Sequence, residues 1–193
     1  GLSTNTGNIK LDGTALVNYQ KAVEVKAAVS ATSGNIYIRS PGANITTSST
    51  GTLSANNISI DNSNGTVDAN TGVITPGTSG ASLQSGVGSR GVDISGSITA
   101  ANNLNIYGNH TGGYTGVSIS GATTTVSGKN VTIYGKSNTD NGLLLSGATL
   151  SGAYINATGE TNTAYTGFAW NGGQIKTTGT TGTSTASVVK GIS

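Results

Sequence analysis

Cysteine and methionine are absent from this 193-residue chain, and it contains a single histidine, His110. The missing cysteines exclude a disulfide framework, a thiolate metal site and a cysteine nucleophile. A lone histidine excludes a multi-histidine metal site, and no metal or other cofactor is expected. No run of about 18 apolar residues is present, so neither a transmembrane helix nor membrane insertion is predicted.

Charged residues are also scarce. They make up 8% of the chain, against roughly 25% in an ordinary soluble domain. Nine Lys and Arg against seven Asp and Glu leave a net charge of +2. Because these few bases are scattered along the chain, we expect no nucleic-acid partner.

Small polar residues fill most of the sequence. Its 31 Gly, 55 Ser and Thr, and 20 Asn together cover more than half of the 193 positions. Such a composition could indicate disorder, but 34% of the residues are hydrophobic and the net charge is low. Disordered chains of the charged kind combine low hydrophobicity with high net charge. The spacing of the hydrophobic residues therefore decides between disorder and a fold.

A motif of the form Gly-apolar-x-apolar-x-Gly recurs in the second half of the chain. It begins at Gly91, Gly116, Gly142 and Gly167, and Gly191 is predicted to begin a further copy. The spacings of 25, 26, 25 and 24 residues are close to a fixed period. A period of this length is typical of stacked repeat proteins.

Each copy contains further apolar residues at alternating positions. In the copy that starts at Gly116, Val117 and Ile119 alternate with serines, Val126 follows, and Val131 and Ile133 come last. Alternation with period two indicates β-strands. Each copy is therefore predicted to hold about three short strands, separated by turns rich in Gly, Asn and Ser.

This pattern predicts an all-β protein, a right-handed parallel β-helix in which each copy of the repeat forms one coil. Each strand would pair with its equivalent in the next coil and contribute to one continuous apolar core. We expect one domain over residues 1–193 with about eight coils, degenerate in residues 1–90 and regular in residues 91–193. Val67, Ile74 and Leu83 are assigned to one degenerate coil.

Asparagine recurs immediately before the third strand of several copies. We expect these side chains to form a ladder at a turn and to hydrogen-bond from coil to coil. The four ladder residues are Asn35, Asn57, Asn103 and Asn130.

The aromatic residues fall into two groups. Tyr107 and Tyr134 directly follow inward-facing isoleucines, so we predict that they point outward and stack on neighbouring coils. Trp170 occupies the place of Ile119 in its copy, so Trp170 and the nearby Phe168 are predicted to lie in the core.

Coils of the form G-V-x-I-x-G-A-x-x-x-V-x-x-x-N-[VIL]-x-I resemble those of filamentous-haemagglutinin-type β-helices. Such coils occur in large bacterial exoproteins of the two-partner secretion class, which includes adhesins and contact-dependent growth inhibition effectors, and autotransporter passengers look similar. The resemblance covers nearly the whole chain. It implies a secreted or cell-surface protein of a Gram-negative bacterium whose parent chain crosses an outer-membrane secretion pore.

Two features agree with that resemblance. A chain without cysteine cannot be trapped by disulfides before export, and stacked coils can fold one after another as the chain emerges. Neither end carries a distinct capping sequence, so a segment of a much longer protein is expected. The implied partner is a cell-surface receptor, protein or glycan, on a host cell or a neighbouring bacterium.

The connections between the third strand and the next coil are the predicted contact region. The repeat register places residues 108–115, 135–141 and 159–166 along one edge of the rod, and loops on a rigid scaffold often carry recognition. The alternative is a solvated row of turns whose tyrosines cover glycine-rich backbone. The candidate contact residues are His110, Tyr114, Lys136, Asp140, Glu160 and Tyr165.

Polysaccharide binding or cleavage, as in a tailspike or lyase, is the alternative function. Cleavage would need clustered carboxylates, and of the seven acids only Asp68 and Asp93 have a spacing, 25 residues, that could stack them as a pair. Such a pair could raise one pKa or hold a metal, or it could be two unrelated surface acids. No catalytic residue is assigned, and a non-enzymatic contact segment of an exoprotein is the predicted function.

Residues 61–65 faintly resemble the start of a calcium-binding loop. The segment lacks the Gly at the sixth position and the Glu at the twelfth position that such a loop requires. A polar turn is therefore predicted here.

Overall fold

The computed structural model describes residues 1–14, 21–63, 65–68, 70, 72–77, 90–179 and 187–193. Within these ranges the protein is built from β-strands and turns, without a helix. The strands are, in chain order, β1 (Leu2–Thr4), β2 (Ile9–Asp12), β3 (Lys21–Val25), β4 (Val29–Arg39), β5 (Asn44–Thr47), β6 (Leu53–Asp61), β7 (Thr66–Val67), β8 (Ile74–Thr75), β9 (Val92–Ile94), β10 (Ile98–Ala100), β11 (Asn103–His110), β12 (Val117–Ser120), β13 (Thr125–Ser137), β14 (Leu143–Ser146), β15 (Thr149–Thr161), β16 (Phe168–Asn171), β17 (Gln174–Thr177) and β18 (Val188–Ile192).

The strands form a parallel β-solenoid of about six turns. The first strands of successive turns make one six-stranded sheet in the order β16-β14-β12-β9-β5-β3. The second and third strands make a larger sheet, in which β4, β6, β13 and β15 each run through both positions. The predicted all-β class and the parallel stacking of repeats are confirmed.

The core is a column of aliphatic side chains aligned by strand register. Ile119 pairs with Ile94 on one side and with Leu145 on the other, and all three are buried. In the third strands, Ile106 pairs with Ile60 and Ile133 in the same way. Since a single turn cannot cover its own apolar face, each turn is stabilised by its neighbours.

The described residues between Ser63 and Gly77 leave the solenoid, which is one reason why fewer turns are found than the eight predicted coils. Strand β6 pairs directly with β10 and β11, as Leu53 with Ile98 and Ile58 with Leu104. In the intervening segment β7 and β8 form an antiparallel hairpin in which Val67 pairs with Ile74. The predicted degenerate coil is therefore wrong for these two residues, and Leu83 lies outside the described residues.

The C-terminal strand also differs from the prediction. Gly191 was expected to begin a new copy, but β18 pairs with β15 as a third strand, with Gly191 opposite Gly159. Each repeat has one glycine before its first strand and another within its third strand. The short segment at Gly191 matches both positions, so its sequence alone does not distinguish them.

Trp170 lies in the predicted register, because it pairs with Leu145. Its side chain is nevertheless 55% exposed, since β16 is the edge strand of its sheet. Phe168 is half-buried and packs against the core.

The four predicted asparagines lie in one row, and Asn8 extends it. The Nδ2 groups of Asn57 and Asn130 donate to Oδ1 of Asn35 and Asn103, each over 2.9 Å. The backbone N–H groups of Asn35, Asn57 and Asn103 donate to the Oδ1 atom of the asparagine one turn before, at 2.9–3.2 Å. Each amide therefore ties its turn to the next.

Replacing a buried ladder residue should cost more than replacing an exposed one. Asn57→Ala removes the acceptor of the Asn103 N–H and the donor to Asn35, so we expect a loss of about 1–3 kcal/mol in the free energy of unfolding. Asn130→Ala, at an exposed position, is expected to cost less than about 1 kcal/mol. Urea unfolding measures both. Equal losses would contradict the dependence on burial, and no loss for Asn57→Ala would contradict a stabilising ladder.

Truncating the core column should weaken the whole stack. Ile119→Ala creates a cavity between two turns and is expected to lower the free energy of unfolding by about 2–5 kcal/mol. Thr123→Ala, on an exposed turn of the same coil, is the control and should change it by less than about 0.5 kcal/mol. Urea unfolding followed by circular dichroism measures the free energy of unfolding of both variants. Equal values would show that position 119 is loosely packed.

Candidate functional site

Three loops follow the third strands along one edge of the solenoid, as the repeat register predicts. We define the loop edge as residues 109–115, 136–141 and 160–166. Each loop leaves and returns at a close pair of glycines: a Cβ on Gly135 would overlap the backbone of Gly142, and a Cβ on Gly159 would overlap that of Gly167. The glycines let the chain project and come back without disturbing the stack.

Hydrogen bonds join the three loops to one another. The backbone N–H and Nδ2 of Asn138 donate to the carbonyl oxygens of His110 and Thr111, at 3.2 and 2.8 Å. In the next loop, Asn162 donates through its backbone to the Ser137 carbonyl at 3.3 Å and through Nδ2 to Oδ1 of Asn138 at 3.1 Å. The loop edge is therefore one bonded surface with a fixed spacing.

His110 does not face solvent, contrary to its expected role as a contact residue. Its side chain is 0% exposed, Nδ1 accepts a hydrogen bond from the Gly112 N–H at 3.1 Å, and its ring meets Tyr114 edge-on with centroids 5.5 Å apart. Burial lowers the pKa of the imidazole, although the charge of Asp140 opposes this. His110 organises the first loop from inside.

Tyr114 and Asp140 also contribute to the structure of the loop edge. The carbonyl of Tyr114 accepts from Ser137 Oγ at 2.7 Å. The carboxylate of Asp140 accepts from Thr115 Oγ1 at 2.9 Å and from the Asn141 N–H at 2.7 Å. Both side chains are half-buried. The backbone carbonyl of Tyr114 and the carboxylate of Asp140 therefore hold the first two loops together.

Lys136 and Glu160 lie at the ends of strands β13 and β15 and are register partners. Lys136 Nζ lies 2.6 Å from Glu160 Oε1, and the Tyr134 hydroxyl donates to Glu160 Oε2. The hydrogen bond from Lys136 has the largest effect on the pKa of the Glu160 carboxyl and lowers it, and the hydrogen bond from Tyr134 lowers it further. Burial and the glutamate raise the pKa of Tyr134.

Tyr107 stacks on Tyr134 with ring centroids 4.9 Å apart and an interplanar angle of 7°. The predicted tyrosine stack on neighbouring turns is confirmed. Its position beside the Lys136–Glu160 ion pair was not predicted.

Tyr165 is the most accessible of the six predicted contact residues, with a side chain that is 55% exposed. It lies at the loop edge on the connection after β15. Of the set, it is therefore the side chain best placed to meet a partner.

The acidic pair considered for catalysis is not formed. Asp93 has Thr46 and Ser118 as register partners, whereas Asp68 lies in the excursion and accepts a hydrogen bond from the Asn70 N–H. Their separation of 25 residues equals one repeat period, but it does not align them because Asp68 is outside the coil. No group of three or more His, Cys, Asp or Glu that could hold a metal ion occurs in the ranges that the structure describes.

The polar turn predicted at residues 61–65 is confirmed. Asp61 is buried, and its two carboxylate oxygens accept from the Ser63 N–H at 2.8 Å and the Gly65 N–H at 2.9 Å. This turn begins the excursion that carries the β7–β8 hairpin.

The hairpin lies over the outward face of the third strands and was missed by the sequence analysis. The Gly72 carbonyl accepts from Ser59 Oγ and from Asn105 Nδ2, the latter at 2.9 Å. On its other side, Arg39 Nη2 donates to the Gly65 carbonyl at 2.7 Å. A long interval in the repeat could have revealed it, since 34 residues separate Asn57 from Gly91.

A groove of about 180 Å³ separates the hairpin from the stacked tyrosines. We call it the hairpin groove; it is lined by Val73, Ile74, Pro76, Asn105, Ile106, Tyr107, Thr132 and Tyr134. A second groove of about 270 Å³ lies on the opposite side of the hairpin and is lined by Lys10, Tyr37, Arg39 and Val67. The two grooves differ in charge, because the first is lined by neutral residues and the second includes two cations.

A scan against protein-family models, a search of curated proteins and a search of solved structures gave no match. In the described part of the chain, no helix is long and apolar enough to cross a membrane. What can be inferred about function therefore comes from the side chains at the loop edge and beside the hairpin.

The loop edge should lose stability as the pH falls. Because the folded-state pKa of His110 lies below its ordinary value of 6.5, the unfolded chain binds the proton more readily. The stabilisation is complete above about pH 6.5 and is lost as the pH falls through the folded-state pKa. Urea unfolding at pH 7.5 and 5.5 should show this loss, and His110→Gln should reduce it; the same loss in both proteins would contradict the assignment.

Proposed function

We propose that this chain is a non-enzymatic contact segment of a large bacterial exoprotein of the filamentous-haemagglutinin type, secreted or held at the cell surface. The observation that carries the proposal is the loop edge, where three loops of different sequence are bonded into one surface. A scaffold that keeps variable loops in fixed positions is typical of recognition proteins.

The mechanism would be passive. Turns of the solenoid are stacked about 4.8 Å apart, so side chains on successive loops face a partner as a rigid array. Several weak contacts made together give a much higher avidity than any one of them. The partner would be a cell-surface protein or glycan on a host cell, as for an adhesin, or on a neighbouring bacterium, as for a contact-dependent inhibition stalk.

Finer features of the fold belong to the same proposal. Parallel strands joined by crossovers are almost always connected with a right-handed turn, and we propose that the coils wind in this sense. The parent chain would be longer than the segment and would cross the outer membrane through a dedicated secretion pore.

The arrangement of acids favours contact over polysaccharide cleavage. Asp68 and Asp93 are not register partners, and Glu160 is held by Lys136 and Tyr134. Carboxylates that act on a glycosidic bond work as a pair that flanks it. Neither Asp68 with Asp93 nor Glu160 with its neighbours supplies such a pair of carboxylates.

Binding of the fluorescently labelled chain to cells tests this function. We expect saturable binding to epithelial or to bacterial cells, and the responsive cell type distinguishes the adhesin from the inhibition stalk. Tyr165→Ala should weaken binding by about tenfold or more if the loop edge makes the contact.

Trp170→Ala is the matched control, because Trp170 is exposed to the same fraction, 55%, but lies on β16. Circular dichroism would verify that both variants fold. Binding that is absent on both cell types, or that weakens equally in the two variants, would overturn the contact role of the loop edge.

A further inference from the structure

We propose that the hairpin groove is a binding site for a neutral saccharide, which it holds by one sugar ring between the hairpin and the tyrosine stack. This site lies beside the loop edge and does not include Tyr165. Saccharide binding in the groove and cell contact through Tyr165 can therefore be tested separately.

The groove is built from parts that are held in place before any ligand arrives. On one side, the hairpin is fixed through the Gly72 carbonyl, which accepts hydrogen bonds from Ser59 and Asn105 on two successive turns. On the other side, Tyr107 and Tyr134 are fixed by their stacking and by the bond from Tyr134 to Glu160. A preformed site loses little conformational entropy on binding.

The lining is amphipathic. Val73, Ile74 and Pro76 form an aliphatic wall, and the side chain of Val73 is 51% exposed. Opposite them lie the two tyrosines, which combine an aromatic ring with a hydroxyl. Asn105 and Thr132 add an amide and a hydroxyl on the strands between the walls. A pyranose ring has the matching chemistry, with C–H groups on its faces and hydroxyl groups around its rim.

Charge decides against an ionic occupant. All of the lining residues that the structure describes are neutral, and the neighbouring charges of Lys136 and Glu160 are paired with each other. Of the two grooves, the second is the one lined by cations, Lys10 and Arg39, and Lys10 is already paired with Asp12. The hairpin groove therefore fits an uncharged ligand.

The size of the groove sets the length of ligand that it covers. Its volume of about 180 Å³ is below the roughly 300–1,000 Å³ of sites that enclose drug-sized molecules. One ring would fill it, and the rest of a glycan would extend into solvent. An aliphatic peptide side chain would use the apolar wall but would leave the exposed Thr132 hydroxyl beside it without a match.

Titration of the ¹⁵N-labelled chain with methyl glycosides of glucose, galactose, mannose and N-acetylglucosamine tests the site by NMR. We expect at least one of them to bind with a millimolar Kd and to shift the amide resonances of β8, β11 and β13. Sialic acid and N-acetyl-leucine amide serve as the anionic and the peptide-like probe, and both should bind at least about tenfold more weakly.

Three variants locate the site. Tyr107→Ala and Val73→Ser, on opposite walls of the groove, should each weaken glycoside binding by about tenfold. Tyr37→Ala is the matched control, because Tyr37 is an outward tyrosine that lines the second groove, and it should leave binding unchanged. Val73 is on the exposed wall, so its replacement tests the groove even if the Tyr107 variant is unstable.

Several outcomes would overturn the saccharide site. They are no shift with any methyl glycoside, tighter binding of sialic acid or of the leucine amide, and equal weakening by Tyr37→Ala. None of them bears on cell binding through Tyr165. Conversely, a chain that binds glycosides in the groove but does not bind cells would retain this site and lose the proposed contact role.

Discussion

Pairing of each strand with its equivalent one turn away is the constraint on which the rest of this structure depends. Because the strands are parallel and in register, like side chains lie on like: isoleucine on isoleucine in the core, asparagine on asparagine at the turn, and Tyr107 on Tyr134 outside. The core column, the amide ladder and the tyrosine stack are therefore three results of one backbone arrangement. The segments that do not repeat, the loops and the hairpin, lie outside the coil.

The chain places its variation at such positions. Close glycine pairs such as Gly135 and Gly142 allow each loop to leave the rod and return, and the β7–β8 hairpin leaves between two turns that remain directly paired. Stability comes from the repeated inward positions, whereas the candidate binding surfaces come from the excursions. A change in a loop can therefore alter the exposed surface while the core stays the same.

The repeat period in the sequence predicted those features that depend on the pairing of equivalent residues in successive turns. The strands of the regular coils, the inward isoleucines and the stacked tyrosines follow from alternation and spacing, and each is found. The hairpin was missed because Val67 and Ile74 are apolar residues in a polar segment, as in a coil, and only pairing partners distinguish the two. The burial of His110 was also missed, since it depends on how Tyr114 and the next loop fold over it, and neither is encoded in the period.

The Gly72 carbonyl has a mechanical consequence. It accepts from Ser59 on β6 and from Asn105 on β11, which are register partners on adjacent turns. Sliding or twisting of one turn against the other must break one of these two bonds, so the hairpin braces this joint of the rod against shear and torsion. Under tension along the rod, this joint would resist sliding more than a joint that is held by strand pairing alone.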